Sequence, residues 1–372
     1  MQATLTCHKK PTTMKQKIIV LSLLLWAFYS PEAKACTGIT LRTTESLPVT
    51  ARTIEWASTP LNTMYVVVPR GYKQQSYLPN GEKRGRKFVA QYGYVGIAVE
   101  QEEFVMEGIN EAGLGAGLFY FPEYGEYAPY DAKKKEQSVS DMQVVSWILS
   151  NFTTIEEMKA GIKDIQVIGT DARASTAHWR ITEQSGKQIV MEIINQQVIF
   201  YDSPLGVLTN SPEFTWHLTN LNNYVNLSSG SVNHRQVGLL SLNAFGGGSG
   251  LHGLPGDMTP PSRFIRAAFF QSTAPSLSNT DATVIQAFHL LNNFDIPIGL
   301  QFADPHQIPN MPSATQVTIV SDLRNQRLYY RTMYNASIRC IELKTIDFSK
   351  VKYQVMPLDK IQKEAIEIIA IQ

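Results

Sequence analysis

Apolar and polar positions alternate with period two soon after residue 36: Thr37, Ile39 and Leu41 against Gly38, Thr40 and Arg42. A polar turn cluster follows (TTESLP, 43–48), and a second strand pattern covers 49–56. That spacing predicts a β-hairpin with Cys36 on its first strand. Further strand patterns lie at 64–69 and 88–100, and 104–121 reads as strand, turn (110–113) and strand. The period lengthens to 3.6 at 140–149, 155–165, 261–270 and 281–291, which predicts helices there. Strand patterns return at 177–181, 188–194, 316–321 and 327–333, and the glycine-rich run 246–253 reads as a loop. There is no internal repeat and no low-complexity linker. Strands at both ends with helices between predict one α+β domain over 36–372, an αββα sandwich of two antiparallel sheets flanked by helices.

Ahead of that domain the pattern is different. Lys15 and Lys17 precede an apolar run at 18–29, and Ala33 and Ala35 form an A-x-A site. This is the layout of a secretory signal peptide, and the run is short for a membrane span. The reading makes 1–35 a removable signal, with 1–13 an upstream extension and Met14 the start, and places the protein in the periplasm or outside the cell. Cleavage after Ala35 would give Cys36 both a thiol and a free α-amine, a nucleophile and a base on one residue. A cysteine in that position can also carry a lipid anchor, but Lys34 and Ala33 are poor matches to a lipoprotein signal.

Composition narrows little. Hydrophobic residues make up 44% of the chain and charged residues 17%, as in an ordinary globular protein. A net charge of +1 gives no reason to expect nucleic acid or an anionic membrane as partner. Of three cysteines, Cys7 belongs to the signal, and Cys36 and Cys340 are expected to be free thiols. No zinc spacing, phosphate loop or dinucleotide fingerprint occurs, so neither metal nor cofactor is expected. None of the histidines suggests a papain-like pair with Cys36.

Five blocks carry a family likeness: CTG at 36–38, ARTIEW at 51–56, GINEAGL at 108–114, LTNSP at 208–212 and GLPGDMTPPSRF at 253–264. In this order they resemble the choloylglycine hydrolase family, which holds conjugated bile salt hydrolases and penicillin V acylases of the N-terminal-nucleophile superfamily. The resemblance implies an amidase with Cys36 as nucleophile and Arg52 beside the thiol. Glu55 would bind the α-amine, where most members have Asp. The Tyr120 backbone N–H and the Asn210 side-chain amide would form the oxyanion hole, and Arg263 would be a second active-site arginine. It implies a homotetramer as well. The substrate would be a small-molecule amide with an apolar acyl group. Conjugated bile salts come first, with penicillin V and N-acyl homoserine lactones as alternatives. Trp56, Phe119, Phe121 and Tyr124, with Tyr127, are expected to form an aromatic substrate-binding rim. The replacement of Asp by Glu55 leaves room for a non-catalytic reading, an exported or lipid-anchored binding protein of the same fold.

These residue types suit the chemistry. A thiol is only a few per cent ionised at neutral pH, and an α-amine with a pKa of about 8 can take its proton without a histidine. A neighbouring guanidinium favours the thiolate. Each donor of an oxyanion hole is worth on the order of 10²- to 10³-fold in rate.

Overall fold

The computed structural model describes residues 34–79, 81–170, 175–300 and 311–371; nearly all of the segment read as an export signal therefore lies outside the described residues. The predicted hairpin forms: β1 (Lys34–Arg42) pairs antiparallel with β2 (Pro48–Trp56), with Cys36 opposite Ile54 and Gly38 opposite Arg52. Next come β3 (Thr63–Val68), β4 (Tyr94–Val99), β5 (Val105–Asn110) and β6 (Gly115–Tyr120). After two helices follow β7 (Ala177–Thr182), β8 (Gln188–Ile194) and β9 (Gln197–Asp202), and the C-terminal part adds β10 (Thr315–Asp322), β11 (Arg327–Thr332), β12 (Asn335–Glu342) and β13 (Gln354–Pro357).

These strands make two large antiparallel sheets. One has five strands in the order β1-β2-β10-β11-β12, the other eight in the order β9-β8-β7-β6-β5-β4-β3-β13. Helices α1 (Val144–Asn151) and α2 (Ile155–Gly161) cover the larger sheet, and α1 lies on β5 and β6. A short helix, α3, spans Phe214–Asn220. On the smaller sheet α4 (Pro260–Thr273) lies along β1 and α5 (Thr280–Leu291) along β2 and β10. The layers are helix, sheet, sheet, helix, as the pattern predicts.

Because both faces of β2 are covered, its residues are buried almost without a break, and strict alternation disappears from its sequence. Ile54 joins the core of the larger sheet, with Ile97, Leu118, Trp179 and Ile319. Val49 and Ala51 join Phe264, Ala267 and Phe288 under α4 and α5. One residue of β2 thus looks between the sheets and the next looks at the helices.

Candidate active site

The hairpin sets Cys36 deep in this stack, 1% exposed, with Gly38 two residues on turned toward the facing sheet, where a Cβ would meet Phe119 and Arg180. The Cys36 backbone N–H donates to Asn210 Oδ1 at 2.9 Å. Arg263, on the first turns of α4, reaches the same point: Nη2 donates to Asn210 Oδ1 at 2.8 Å, and Nη1 donates to Thr37 Oγ1 at 2.8 Å and to the Cys36 carbonyl. Pro260 opens that helix without needing an amide hydrogen. Asn210 Nδ2 donates to the Tyr120 carbonyl at 2.9 Å. Two donors on Oδ1 fix the orientation of the amide, and its second N–H stays available, since a primary amide has two.

Arg52 is completely buried and lies 3.9 Å over the ring of Phe119. Its Nε donates to the Thr53 carbonyl at 3.3 Å and its Nη1 to Met106 O at 3.1 Å and to Leu118 O. Glu55 faces the helix side, where it accepts from Thr315 Oγ1 at 3.3 Å, while its Oε2 is buried without a hydrogen-bond partner. Across β1 and β2 it stands opposite Ala35.

Burial pushes the Cys36 thiol above its ordinary pKa; Arg52 opposes that rise, Glu55 adds to it, and Arg263 and the Tyr120 backbone N–H favour the thiolate. Burial also raises Glu55, to about 7, against the pull of Arg263 and Arg52. The site therefore gathers Cys36, Arg52, Glu55, Tyr120, Asn210 and Arg263 from two sheets, a loop and a helix. Among the described residues no group of His, Cys, Asp and Glu could hold a metal ion. Cys340 is a free, exposed thiol on β12.

Cys36 opens into a cleft of about 440 Å³, lined by Trp56, Leu61, Phe104, Met106, Tyr120 and Met142 among others. The residues of the expected aromatic rim lie in different places. Trp56 lines the cleft, with its ring 6.4 Å from that of Tyr120, but Phe119, Phe121 and Tyr124 do not. Phe119 and Phe121 flank Tyr120 on β6 and its exit, so alternation turns both away from the face that Tyr120 presents, and both are fully buried. Phe119 lies under Arg52, Phe121 stacks on His178 with centroids 4.6 Å apart, and Tyr124 rests beside Phe121. Tyr127 is tied instead to the backbone N–H of Ala177.

Sequence reasoning missed the residues that hold this arrangement. His217 on α3 contacts the Asn210 carbonyl through Nε2 at 2.8 Å and stacks on Phe264. His178 on β7 contacts the Thr209 carbonyl through Nε2 at 3.2 Å and Glu192 through Nδ1 at 3.0 Å. A carbonyl only accepts, so Nε2 carries the hydrogen in both contacts. The Asn210 loop, with its cis Ser211–Pro212 bond, is thus pinned on successive carbonyls. Glu107 and Arg180, buried beneath Arg52, were also missed. A charged residue inside an apolar strand pattern was the available signal for both.

Comparison with known proteins covers most of the chain. The profile described as "Linear amide C-N hydrolases, choloylglycine hydrolase family" matches residues 36–355. A bile salt hydrolase/transferase from Clostridium perfringens is 31% identical over 325 residues, which is 85% of this chain and 95% of the relative. A penicillin V acylase from Pectobacterium atrosepticum is 24% identical over 92% of this chain and 89% of its own length. A crystal structure of a mutant conjugated bile acid hydrolase from Clostridium perfringens superposes with a TM-score of 0.76 at 29% identity, over 90% of this chain and all of that one.

Proposed function

Since the chain belongs to the choloylglycine hydrolase family of linear amide C–N hydrolases, we propose that it is exported, that removal of residues 1–35 frees the α-amine of Cys36, and that the processed enzyme hydrolyses conjugated bile salts. The observation that supports this mechanism is the seat around the Cys36 nitrogen. Asn210 Oδ1 already accepts from that nitrogen, and one cross-strand position away Glu55 keeps a buried oxygen without a partner. An ammonium there would give Glu55 its missing donor, and burial makes such a pair strong.

The α-amine takes the thiol proton, and Arg52 and Arg263 stabilise the thiolate. The sulfur attacks the amide carbonyl. Negative charge develops on the carbonyl oxygen, where the Tyr120 N–H and the second N–H of Asn210 serve as donors. The ammonium returns its proton to the leaving nitrogen, the C–N bond breaks, and a thioester remains on Cys36. Water, deprotonated by the same amine, releases the acid. The mixed lining of the cleft suits a large apolar acyl group, and the names of the relatives favour a steroid. The reading also includes a homo-oligomer, which light scattering would measure.

The test is amine release by protein beginning at Cys36, offered glycocholate, taurocholate, penicillin V and acyl homoserine lactones. Bile salts should give the highest kcat/KM. Preference for penicillin V would move the assignment to an acylase, and full activity with Ala35 still attached would end the N-terminal mechanism.

A further inference from the structure

Beneath Arg52 lies a charged cluster that this mechanism does not use. Glu107 on β5, Gly117 on β6 and Arg180 on β7 are cross-strand neighbours, Glu107 opposite Gly117 and Gly117 opposite Arg180. A Cβ at Gly117 would lie 1.9 Å from Glu107 Oε2, so the bare middle position is what lets carboxylate and guanidinium meet above it. Arg180 Nη2 donates to Glu107 Oε1 at 3.1 Å. Its Nη1 crosses to the other sheet and donates to the carbonyls of Ile39 at 3.0 Å and Ala51 at 3.2 Å.

The second carboxylate oxygen, Glu107 Oε2, stands 3.7 Å from Arg52 Nη1, close enough for charge attraction but too far for a hydrogen bond. It has no hydrogen-bond partner, and neither does the buried Arg52 Nη2. Two permanently charged guanidiniums therefore share one carboxylate, and the sharing is unequal. Arg180 holds the hydrogen bond; Arg52 is left undercompensated.

We propose that Arg180 is a positioning residue: by binding Glu107 it keeps that carboxylate off Arg52, and so leaves the Arg52 guanidinium to the Cys36 sulfur. The proposal rests on the reading of Cys36 as nucleophile and deepens it. Without Arg180, Glu107 would close on Arg52 and neutralise it. Without the charge on Glu107, Arg52 would act on the sulfur at full strength. The other charged groups acting on the thiol, Glu55 on β2 and Arg263 on α4, are the same in either case.

The experiment follows alkylation of Cys36 by iodoacetamide against pH in the full chain carrying Cys7→Ser and Cys340→Ser. Arg180→Gln should move the midpoint up by about half a unit to one unit, and Glu107→Gln should move it down. With Glu107→Gln already present, adding Arg180→Gln should change little, because the carboxylate through which Arg180 acts is gone. Arg180→Lys should restore part of the wild-type profile. An unmoved midpoint in Arg180→Gln, or the same rise with and without Glu107→Gln, overturns the proposal. Should Arg180→Gln fail to fold, the near-isosteric Glu107→Gln decides alone, and an unmoved midpoint there is equally fatal. Alkylation reads the thiol whether or not it is the nucleophile, so retained turnover in Cys36→Ser would refute the catalytic reading separately.

Discussion

At the scale of single residues, the site is a set of buried polar groups whose partners are almost all accounted for, and the exceptions are the informative ones. Asn210 joins Cys36, Arg263 and Tyr120 through one amide. Asn210→Ala should lower kcat by about 10²-fold or more with a smaller change in KM, since the lost donor matters most in the transition state. A kcat within about threefold of wild type would mean the residue only shapes its loop. Glu55 makes a prediction about stability. In the full chain its carboxyl is raised from 4.5 to about 7, so the fold binds that proton more tightly than the unfolded chain does. Its contribution is fully present below about pH 4.5 and is lost as pH rises through 7. The loss amounts to roughly 3 kcal/mol at most. Glu55→Gln should flatten that decline in denaturant titrations at a series of pH values. Protein beginning at Cys36 should show a weaker decline than the full chain, because an α-ammonium would stabilise the ionised carboxylate. Equal slopes in the two forms would separate Glu55 from the amine.

At the scale of elements, α3 does work out of proportion to its seven residues. It carries His217, whose pKa burial lowers to about 4. A lowered histidine contributes stability above its ordinary 6.5 that is lost as pH falls toward 4, the opposite slope to that of Glu55. His217→Gln keeps a donor for the Asn210 carbonyl and should remove this acid sensitivity with modest loss of kcat. His217→Ala should lose the pin and lower kcat as well. Similar kcat values for the two variants would show that the contact does not position Asn210. This helix was not legible in the sequence, for seven residues between loops give too few turns for periodicity to register. Strand β9 was missed for another reason. The turn before it, Asn195-Gln196, takes positive φ values of 50° and 65° without a glycine to announce them. By contrast β1, α4 and α5 were readable from their periodic runs, and β2 from its place after the polar turn at 43–48, although α4 starts one residue before the predicted 261. The proposed catalytic set was legible mainly as family motifs. Of the expected rim, Trp56 lines the cleft, while the pleat turns Phe119 and Phe121 to the face opposite Tyr120.

At the scale of the whole molecule, each sheet supplies what the other lacks. Cys36, Arg52 and Glu55 come from the five-stranded sheet, and Tyr120, Glu107 and Arg180 from the eight-stranded one. The site cannot exist in either layer alone, which explains why its residues are spread from 36 to 263. The position of β1 has a consequence in time. Its pairing with β2 begins at Lys34, ahead of Cys36, and Ala35 is only 4% exposed, enclosed by Ala57, Ile296 and Ala314. A peptidase must take its substrate in extended form, so the bond between Ala35 and Cys36 is out of reach once the edge of the sheet has zipped. On the proposed export reading, maturation becomes a race: the leader would have to be cut before this strand docks, or the docked end would have to fray open to admit the protease. Folded full-length protein should therefore be cut at this bond far more slowly than unfolded chain. Cutting of the folded form should proceed no faster than amide hydrogens at the start of β1 exchange with solvent.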